Sequence, residues 1–181
     1  PALTSGATIL PITKEELRLD PTSLITFLEQ EGVTHAYVPT RICQELIDSQ
    51  VQTDIYLNTG GEALTYQKPP KMKVINNYGP TEATVVATAH SCSGTQEGIA
   101  SIGQPVDNTE ILILNAGEKQ QPMGVVGELC IAGPGVGQGY WNQPELTSDK
   151  FITHPYKPGV TLYRTGDLAR WCQDGNLYFF G

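Results

Sequence analysis

Short apolar runs alternate with helix-like patterns over the first half of the chain. The runs predict four strands, at residues 7–11, 33–38, 54–58 and 72–75. Helical patterns begin at Pro21 and Thr40, each just after a residue that can open a helix. Alternation of this kind is typical of β-α-β units built around a mainly parallel sheet.

The pattern changes beyond about Gly98, where helical periodicity disappears and glycine-punctuated strands take over. Such strands are predicted at residues 110–114, 127–132 and 177–180. They fit a small barrel or a strongly bent sheet. We therefore predict an α/β fold in which a parallel-sheet α/β subdomain, residues 1–98, is followed by a small distorted β-barrel subdomain, residues 99–181.

Composition narrows the class of partner. A net charge of −8 and a sequence pI near 4.8 argue against nucleic acid, which requires a basic surface, although a single nucleotide can be held by backbone N–H groups or one bound cation. The four cysteines form no C-x-x-C pair, which predicts reduced thiols and a cytoplasmic location. The sequence has no long apolar run, and we therefore expect no membrane segment.

One stretch places several kinds of chemistry at a strand end. It reads Asn76-Asn77-Tyr78-Gly79-Pro80-Thr81-Glu82, in which a Gly-Pro turn follows a strand and a short helix begins near Thr81. At the carboxyl edge of an open sheet, an aromatic ring, a hydroxyl and a carboxylate could hold a purine, a phosphate and a metal. The alternative is an ordinary turn with a capped helix.

Three further stretches have both a chemical and a structural interpretation. Gly60-Gly61 follows a strand and either lets backbone approach a ligand or makes a simple turn. Asp167 follows Gly166 and either accepts hydrogen bonds from vicinal hydroxyls, as at a ribose, or caps a turn. The alternating glycines of residues 127–140 suggest a dinucleotide-binding loop, which we reject because the sequence that follows should break any helix.

The order of these stretches resembles one family. Gly-Gly-Glu-Ala-Leu, Asn-Asn-Tyr-Gly-Pro-Thr-Glu, Gly-Glu-Leu…Gly-Tyr, Tyr-Arg-Thr-Gly-Asp-Leu and the final Asn-Leu-Tyr-Phe-Phe-Gly look like successive motifs of adenylation domains of nonribosomal peptide synthetases. The resemblance implies activation of an amino acid with ATP and Mg²⁺, followed by transfer to the phosphopantetheine thiol of a carrier domain. Peptidyl carrier and condensation domains of a parent synthetase are the implied partners, together with the remaining parts of the adenylation domain.

The resemblance also implies roles for individual residues. Tyr78 would stack on adenine, Asp167 would hold the ribose hydroxyls, and Thr81 and Glu82 would be catalytic, with Glu82 binding the metal. The implied nucleotide-binding set is Gly60, Gly61, Glu62, Asn76, Tyr78, Gly79, Thr81, Asp167 and Phe179. The implied side-chain pocket is formed by Asn58, Gly60, Asn77, Val85 and Val86, together with Tyr37 or its neighbour Ala36.

The sequence also departs from the family pattern. The phosphate loop with its lysine, the Asp that binds the substrate α-amino group, and the lid lysine have no counterpart in these 181 residues. We therefore expect an internal part of the large N-terminal core that is inactive alone. Residues 65–73 are also too short and proline-rich for the helix that the family commonly has there. An aryl or fatty acyl-CoA ligase and an inactive binding module of this fold are the alternatives.

Overall fold

The computed structural model describes residues 2–13, 20–92 and 98–181. Two helices pack in the first half, α1 (Pro21–Gln30) and α2 (Thr40–Asp48). Helix α1 begins where predicted, because the Asp20 carboxylate accepts a hydrogen bond from the Thr22 N–H and Pro21 occupies the first turn, where its missing N–H has no cost. Both helices turn apolar side chains inward, including Leu28 and Leu46.

A mixed five-stranded sheet lies beneath these helices. The strands of the first part of the chain are β1 (His35–Tyr37), β2 (Tyr56–Gly60), β3 (Thr65–Tyr66), β4 (Lys73–Tyr78), β5 (Thr88–Cys92), β6 (Gly98–Ile99) and β7 (Gln104–Pro105). The sheet order is β1-β2-β4-β5-β7. The pairings of β1 with β2 and of β2 with β4 are parallel, and β5 is antiparallel to both of its neighbours, β4 and β7, so β5 alone in this sheet runs opposite to the other four strands. The prediction of a mainly parallel sheet is therefore confirmed, with β5 as the exception within this sheet.

Strands near the expected subdomain boundary pair with the first half of the chain. Strand β6 pairs with β3, and β7 pairs with β5. Gly103 also forms a bridge with Leu177, so the two halves meet through backbone contacts. A division at residue 98 therefore stays a prediction.

The second half forms a curled antiparallel sheet, in agreement with the predicted β subdomain. Its strands are β8 (Glu110–Leu114), β9 (Gly127–Ala132), β10 (Phe151–Thr153), β11 (Thr161–Trp171) and β12 (Leu177–Phe179). They lie in the order β10-β11-β9-β8, with β12 on β11. Strand β11 is interrupted by a bulge between Arg164 and Leu168, where its register against β9 shifts.

Separate clusters of buried side chains stabilise these layers. One contains the helices and the first sheet, with Leu46 and Leu57 fully buried. A second joins the two halves, because Ala83 and Ile102 of the first half pack with Leu129 of the curled sheet. Residue Leu112 and its neighbours fill the opposite face of the curled sheet. The second cluster fixes the position of the curled sheet relative to the first sheet.

Two secondary-structure predictions are wrong. Residues 7–11 form no strand: Ile9 and Leu10 are exposed, and no described strand pairs with them. A helix does follow the glycine-rich stretch, since α3 (Pro144–Lys150) begins directly at Pro144, which the first helical turn tolerates. The expectation for residues 65–73 is confirmed, because the structure shows short strands and turns there.

Candidate functional site

A cavity of about 270 Å³ opens where β2 and β4 end. Strand β2 ends at Gly60, and Gly61 turns the chain with a φ of +99°, a conformation that favours glycine. Strand β4 ends at Tyr78 before the Gly-Pro turn. The lining residues are Gly61, Glu62, Ala63, Leu64, Asn76, Asn77, Tyr78, Gly79, Pro80, Ile99, Ala100, Ile102, Asp167 and Phe179. Carboxyl ends of parallel strands are the usual ligand sites of open α/β sheets.

Two aromatic rings and a carboxylate from both halves of the chain meet at this cavity. The Tyr78 hydroxyl donates to Asp167 Oδ2 at 2.6 Å, and the Tyr78 and Phe179 ring centroids are 6.1 Å apart. Burial and the neighbouring Asp167 raise the pKa of Tyr78 far above its usual range, so the phenol keeps its proton and donates it. The residues implied for adenine and ribose thus lie side by side, although they are 89 positions apart.

The bulge in β11 explains how Asp167 reaches the cavity. Arg164 pairs with Cys130 and Leu168 with Glu128, so β11 uses four steps where β9 uses two. Gly166 takes a φ of +84°, which a side chain would strain. The sequence predicted a glycine turn before Asp167; the structure instead places both residues within a strand, in a bulge that redirects the side chain.

Neighbouring strands bring four residues of the implied side-chain pocket together. Tyr37 of β1 lies opposite Asn58 of β2, and Gly60 of β2 lies opposite Asn77 of β4. The Tyr37 hydroxyl donates to the Gly60 carbonyl at 3.1 Å, and Asn77 Nδ2 donates to Asn58 Oδ1 at 3.4 Å. A Cβ on Gly60 would lie 2.3 Å from the Asn77 carbonyl oxygen, so the strand approach requires glycine.

The other two implied pocket residues follow the 3-10 turn Thr81–Ala83. Val85 has a φ of +72° and is 67% exposed, an unusual conformation for a β-branched residue, and Val86 is half-buried. The carbonyl of Val85 packs against Gly79, where an added Cβ would lie 2.6 Å from it. Of the six pocket residues, Asn77 alone is among the residues that line the 270 Å³ cavity.

An aromatic cluster from the second half of the chain surrounds the implied metal ligand. Glu82 lies in the first turn of Thr81–Ala83, as the sequence predicted, and Tyr140 Oη donates to Glu82 Oε1 at 2.5 Å. Tyr163 Oη lies 3.4 Å from Tyr140 Oη, and Phe151 contacts both rings. The Tyr140 hydrogen bond holds the pKa of Glu82 below its ordinary value, so the carboxylate is charged near neutral pH.

The remaining implied residues occupy distinct positions around this arrangement. Glu62 is exposed at the cavity, whereas Asn76 is buried and its Nδ2 donates to the Ser101 carbonyl at 2.9 Å. Thr81 is exposed at the start of its 3-10 turn and is outside the cavity lining. The cavity and Glu82 are therefore joined by the chain from Tyr78 to Glu82.

Sequence reasoning missed the supporting residues. Tyr140 and Tyr163 belong to motifs quoted for the resemblance, yet neither had a role until the structure placed them beside Glu82. Ile99 and Ile102 line the cavity from a segment without a polar signal. The only sequence signal for the two tyrosines was their place in ordered motifs. The two isoleucines had no signal, because apolar residues that line a cavity look like core residues in the sequence.

The single carboxylate of Glu82 suits Mg²⁺ better than it suits a metal whose ligands come mainly from protein side chains. Over the described ranges 2–13, 20–92 and 98–181, no group of three or more His, Cys, Asp or Glu side chains could hold an ion. Mg²⁺ commonly uses one or two carboxylates together with waters and substrate phosphates. The charged carboxylate of Glu82, two residues after the cavity-lining Pro80, suits that kind of ion.

Comparison with known proteins identifies the family. The model for "AMP-binding enzyme" matches residues 1–141, and the chain therefore belongs to the AMP-binding enzyme family. It is 42% identical over 181 residues to bacitracin synthase 1 of Bacillus licheniformis, covering 100% of this chain and 3% of that protein. The chain thus spans a small part of the length of this curated relative.

Solved structures similar to the chain include adenylation domains. PA1221, described as a nonribosomal peptide synthetase protein containing adenylation and PCP domains, superposes with a TM-score of 0.78 at 29% identity, covering 90% of this chain and 36% of that one. The Klebsiella oxytoca NpsA N-terminal subdomain in complex with 3-hydroxybenzoyl-AMSN has a TM-score of 0.74 at 26% identity, covering 97% and 46%. These likenesses support the predicted fold class of an α/β part followed by a barrel-like part.

Among the described residues, no helix is both long and apolar enough to cross a membrane.

Proposed function

We propose that this chain supplies the nucleoside-binding portion of an amino-acid-activating adenylation domain. The reaction joins an amino acid carboxylate to the α-phosphate of ATP and releases pyrophosphate, giving an aminoacyl-AMP. The observation that carries the proposal is the contact of Tyr78, Asp167 and Phe179 around one cavity at the carboxyl ends of β2 and β4. Membership of the AMP-binding family agrees with it.

Each part of the site would have one task in that reaction. The Tyr78 ring would stack on adenine, with Asn76 and the Gly60-Gly61-Glu62 backbone bordering the base. Asp167 would accept hydrogen bonds from the ribose hydroxyls beside Phe179. These contacts hold the α-phosphate still for in-line attack, and positioning of this kind supplies much of the catalysis of such displacements.

Charge neutralisation would come from the segment that follows the cavity. Thr81 would lie near the α-phosphate, and the Glu82 carboxylate, oriented by Tyr140, would bind Mg²⁺ directly or through water. When bound, Mg²⁺ neutralises phosphate charge and stabilises the leaving pyrophosphate. The lowered pKa of Glu82 supports this role, because a charged carboxylate is the form that binds the ion.

The amino acid and the carrier domain are further parts of the proposal. Tyr37, Asn58, Gly60, Asn77, Val85 and Val86 would line the pocket for the substrate side chain. The acyl group would then pass to a phosphopantetheine thiol on a peptidyl carrier domain, next to a condensation domain of the parent synthetase. Support comes from PA1221, which contains adenylation and PCP domains, and from the identity to a bacitracin synthase. Buried free thiols support a cytoplasmic location.

An aryl acid is the second candidate substrate. NpsA, which is similar in fold, was solved with a 3-hydroxybenzoyl adenylate analogue. The amino-acid alternative is favoured because identity to the peptide synthase is 42%, against 26% to NpsA. An inactive binding module of this fold would bind nucleotide without turnover.

ATP–pyrophosphate exchange in an intact adenylation domain that carries this sequence tests the proposal. Exchange should depend on an amino acid, and Glu82→Ala or Asp167→Ala should each depress it at least tenfold, since each removes an interaction with a charged group. Asp174→Ala is the matched control, because Asp174 caps a turn in the same half of the chain. Exchange that required an aryl acid, or that was unchanged in both site variants, would contradict the proposal.

A further inference from the structure

The motif Gly127-Glu128-Leu129 has no task in the proposed reaction, yet Glu128 makes an unusual set of contacts. Glu128 Oε2 accepts from Arg164 Nε at 3.0 Å and from Arg164 Nη2 at 2.6 Å. Glu128 Oε1 accepts from the Gly166 backbone N–H at 3.2 Å. One carboxylate therefore binds a guanidinium and a backbone amide that lie on either side of Thr165.

The position of Glu128 in the sheet gives these contacts a geometric meaning. Its backbone lies opposite Leu168, which follows the β11 bulge, whereas its side chain reaches back to Arg164, which precedes the bulge. The third contact, to Gly166, falls within the bulge. Glu128 thus spans the bulge from end to end and touches its middle. A cross-strand ion pair that only joined two strands would not require a contact to a backbone amide inside the bulge.

A second set of contacts fixes the other side of the same bulge. The Thr165 hydroxyl donates to the Leu129 carbonyl at 2.7 Å and accepts from the Asp167 N–H at 3.0 Å. The bulge leaves ladder groups unpaired, and these bonds satisfy two of them. With Gly166 held by Glu128 and Asp167 held by Thr165, the backbone that carries the Asp167 carboxylate is fixed on both sides.

Burial and charge favour a persistent clamp, by which we mean the contacts of Glu128 with Arg164 and Gly166. The side chains of Glu128 and Arg164 are 19% and 35% exposed, less than those of Glu110 and Lys157, which form an ion pair elsewhere on the curled sheet at 40% and 54%. Glu128 also raises the pKa of Arg164, mainly through the hydrogen bond between them. Both guanidinium nitrogens donate to the same oxygen, Oε2, which leaves Oε1 to accept from the Gly166 N–H, so the two carboxylate oxygens fix two separate points of β11.

We propose that Glu128 is a positioning residue for nucleotide discrimination: by clamping the β11 bulge through Arg164 and Gly166, it sets the Asp167 carboxylate where it accepts the ribose hydroxyls. This inference rests on the proposed function, in which Asp167 holds the ribose. Glu128 lies on β9 and acts only through the bulge. Loss of the clamp therefore costs recognition of the ribose hydroxyls and leaves recognition of the base and phosphates intact.

Glu128→Gln is the sharpest variant, because it keeps the shape of the side chain and removes one acceptor. If the amide oxygen faces Arg164, the NH₂ meets the Gly166 N–H; if it faces Gly166, the NH₂ meets the guanidinium. Either orientation sets a donor against a donor. Glu110→Gln is the matched control, since Glu110 also pairs with a cation on the curled sheet, Lys157, and neither residue lines the cavity.

The readout is the ratio of kcat/KM for ATP to that for 2′,3′-dideoxyATP, measured by exchange in an intact adenylation domain that carries this sequence. DideoxyATP lacks both hydroxyls that Asp167 would bind. Glu128→Gln should lower kcat/KM for ATP about tenfold, the effect of one charge-assisted hydrogen bond, and should change the dideoxyATP value less than about twofold. Most of the loss should lie in KM. Glu110→Gln should leave the ratio unchanged, even if both variants lower the melting temperature.

Asp167→Ala separates failure of this inference from failure of the proposed function. In one outcome, Asp167→Ala collapses the ATP-to-dideoxyATP ratio, but Glu128→Gln lowers kcat/KM equally for both nucleotides or for neither. The clamp then has no positioning role, and this inference is overturned while the proposed function stands. If Asp167→Ala leaves the ratio intact, Asp167 does not bind the ribose hydroxyls, and both this inference and the proposed function are overturned. A ratio reduced by Asp167→Ala and by Glu128→Gln, with Glu110→Gln unchanged, supports the inference.

Discussion

Replacing Tyr78 by Phe isolates one contact of the proposed site. The ring that would stack on adenine stays, and the donor to Asp167 Oδ2, 2.6 Å away, is removed. A hydrogen bond to a charged group contributes about 1.5–3 kcal/mol. Water can take over part of the hydrogen bonding of the phenol, since both side chains are only half-buried. We therefore take the lower end of this range, about 1.5 kcal/mol, which corresponds to roughly tenfold in kcat/KM.

The assay is ATP–pyrophosphate exchange with ATP varied, in an intact adenylation domain that carries this sequence. We expect kcat/KM for ATP to fall about tenfold in Tyr78→Phe. The double variant Tyr78→Phe/Asp167→Ala should be little worse than Asp167→Ala alone, because contacting residues are non-additive. Tyr56→Phe is the control, since Tyr56 stacks on His35 outside the cavity lining.

Two results would contradict a supporting role of the Tyr78 phenol for Asp167. A kcat/KM for ATP within about twofold of the unmodified enzyme would show that the phenol does not support Asp167. Strictly additive losses in the double variant would show that Tyr78 and Asp167 act at separate places. Either result would break the link between the observed hydrogen bond and the proposed ribose site.

Three further predictions concern stability, pH and thiol reactivity. Gly60→Ala should lower the free energy of unfolding by about 1–3 kcal/mol, because its Cβ would lie 2.3 Å from the Asn77 carbonyl oxygen; unchanged denaturant unfolding would contradict that contact. Tyr140→Phe should raise the pKa of Glu82 towards its ordinary value in an NMR titration. Because the pKa of Glu82 is lowered in the folded protein, its carboxylate contributes stability above the ordinary glutamate pKa, and this contribution is lost as the pH falls through the lowered pKa. Tyr140→Phe should therefore weaken the dependence of the free energy of unfolding on acid pH. An identical pH profile in the variant would refute this prediction. Peptide mapping after maleimide labelling should find Cys172 modified before the three buried cysteines, and the reverse order would contradict their burial.

The sequence predicted local elements well where periodicity and caps agree. Helix α1 begins at the Asp20-Pro21 pair because cap and proline chemistry are local. The antiparallel pairing of β5 could not be predicted, since strand direction depends on the path of the chain, and a run of apolar residues carries no direction. The strand predicted at residues 7–11 fails for a related reason, because a strand exists only where another strand pairs with it.

The candidate site shows the same division between local and long-range information. The motif at Tyr78 and the motif at Asp167 were found separately, and only the family resemblance connected them. The bulge that makes them neighbours depends on Glu128 and Thr165, whose contacts join strands far apart in sequence. Tyr140 reaches Glu82 across 58 positions and had no local signal beyond its motif.

A crystal structure of an intact adenylation domain carrying this sequence, with a non-hydrolysable aminoacyl-AMP analogue, would show directly whether Tyr78 and Asp167 bind the nucleoside. We expect the adenine ring against Tyr78 and the ribose hydroxyls within hydrogen-bond distance of the Asp167 carboxylate, about 2.5–3.0 Å. Electron density for the nucleoside elsewhere, with Tyr78 and Asp167 still bonded to each other and away from the ligand, would contradict it.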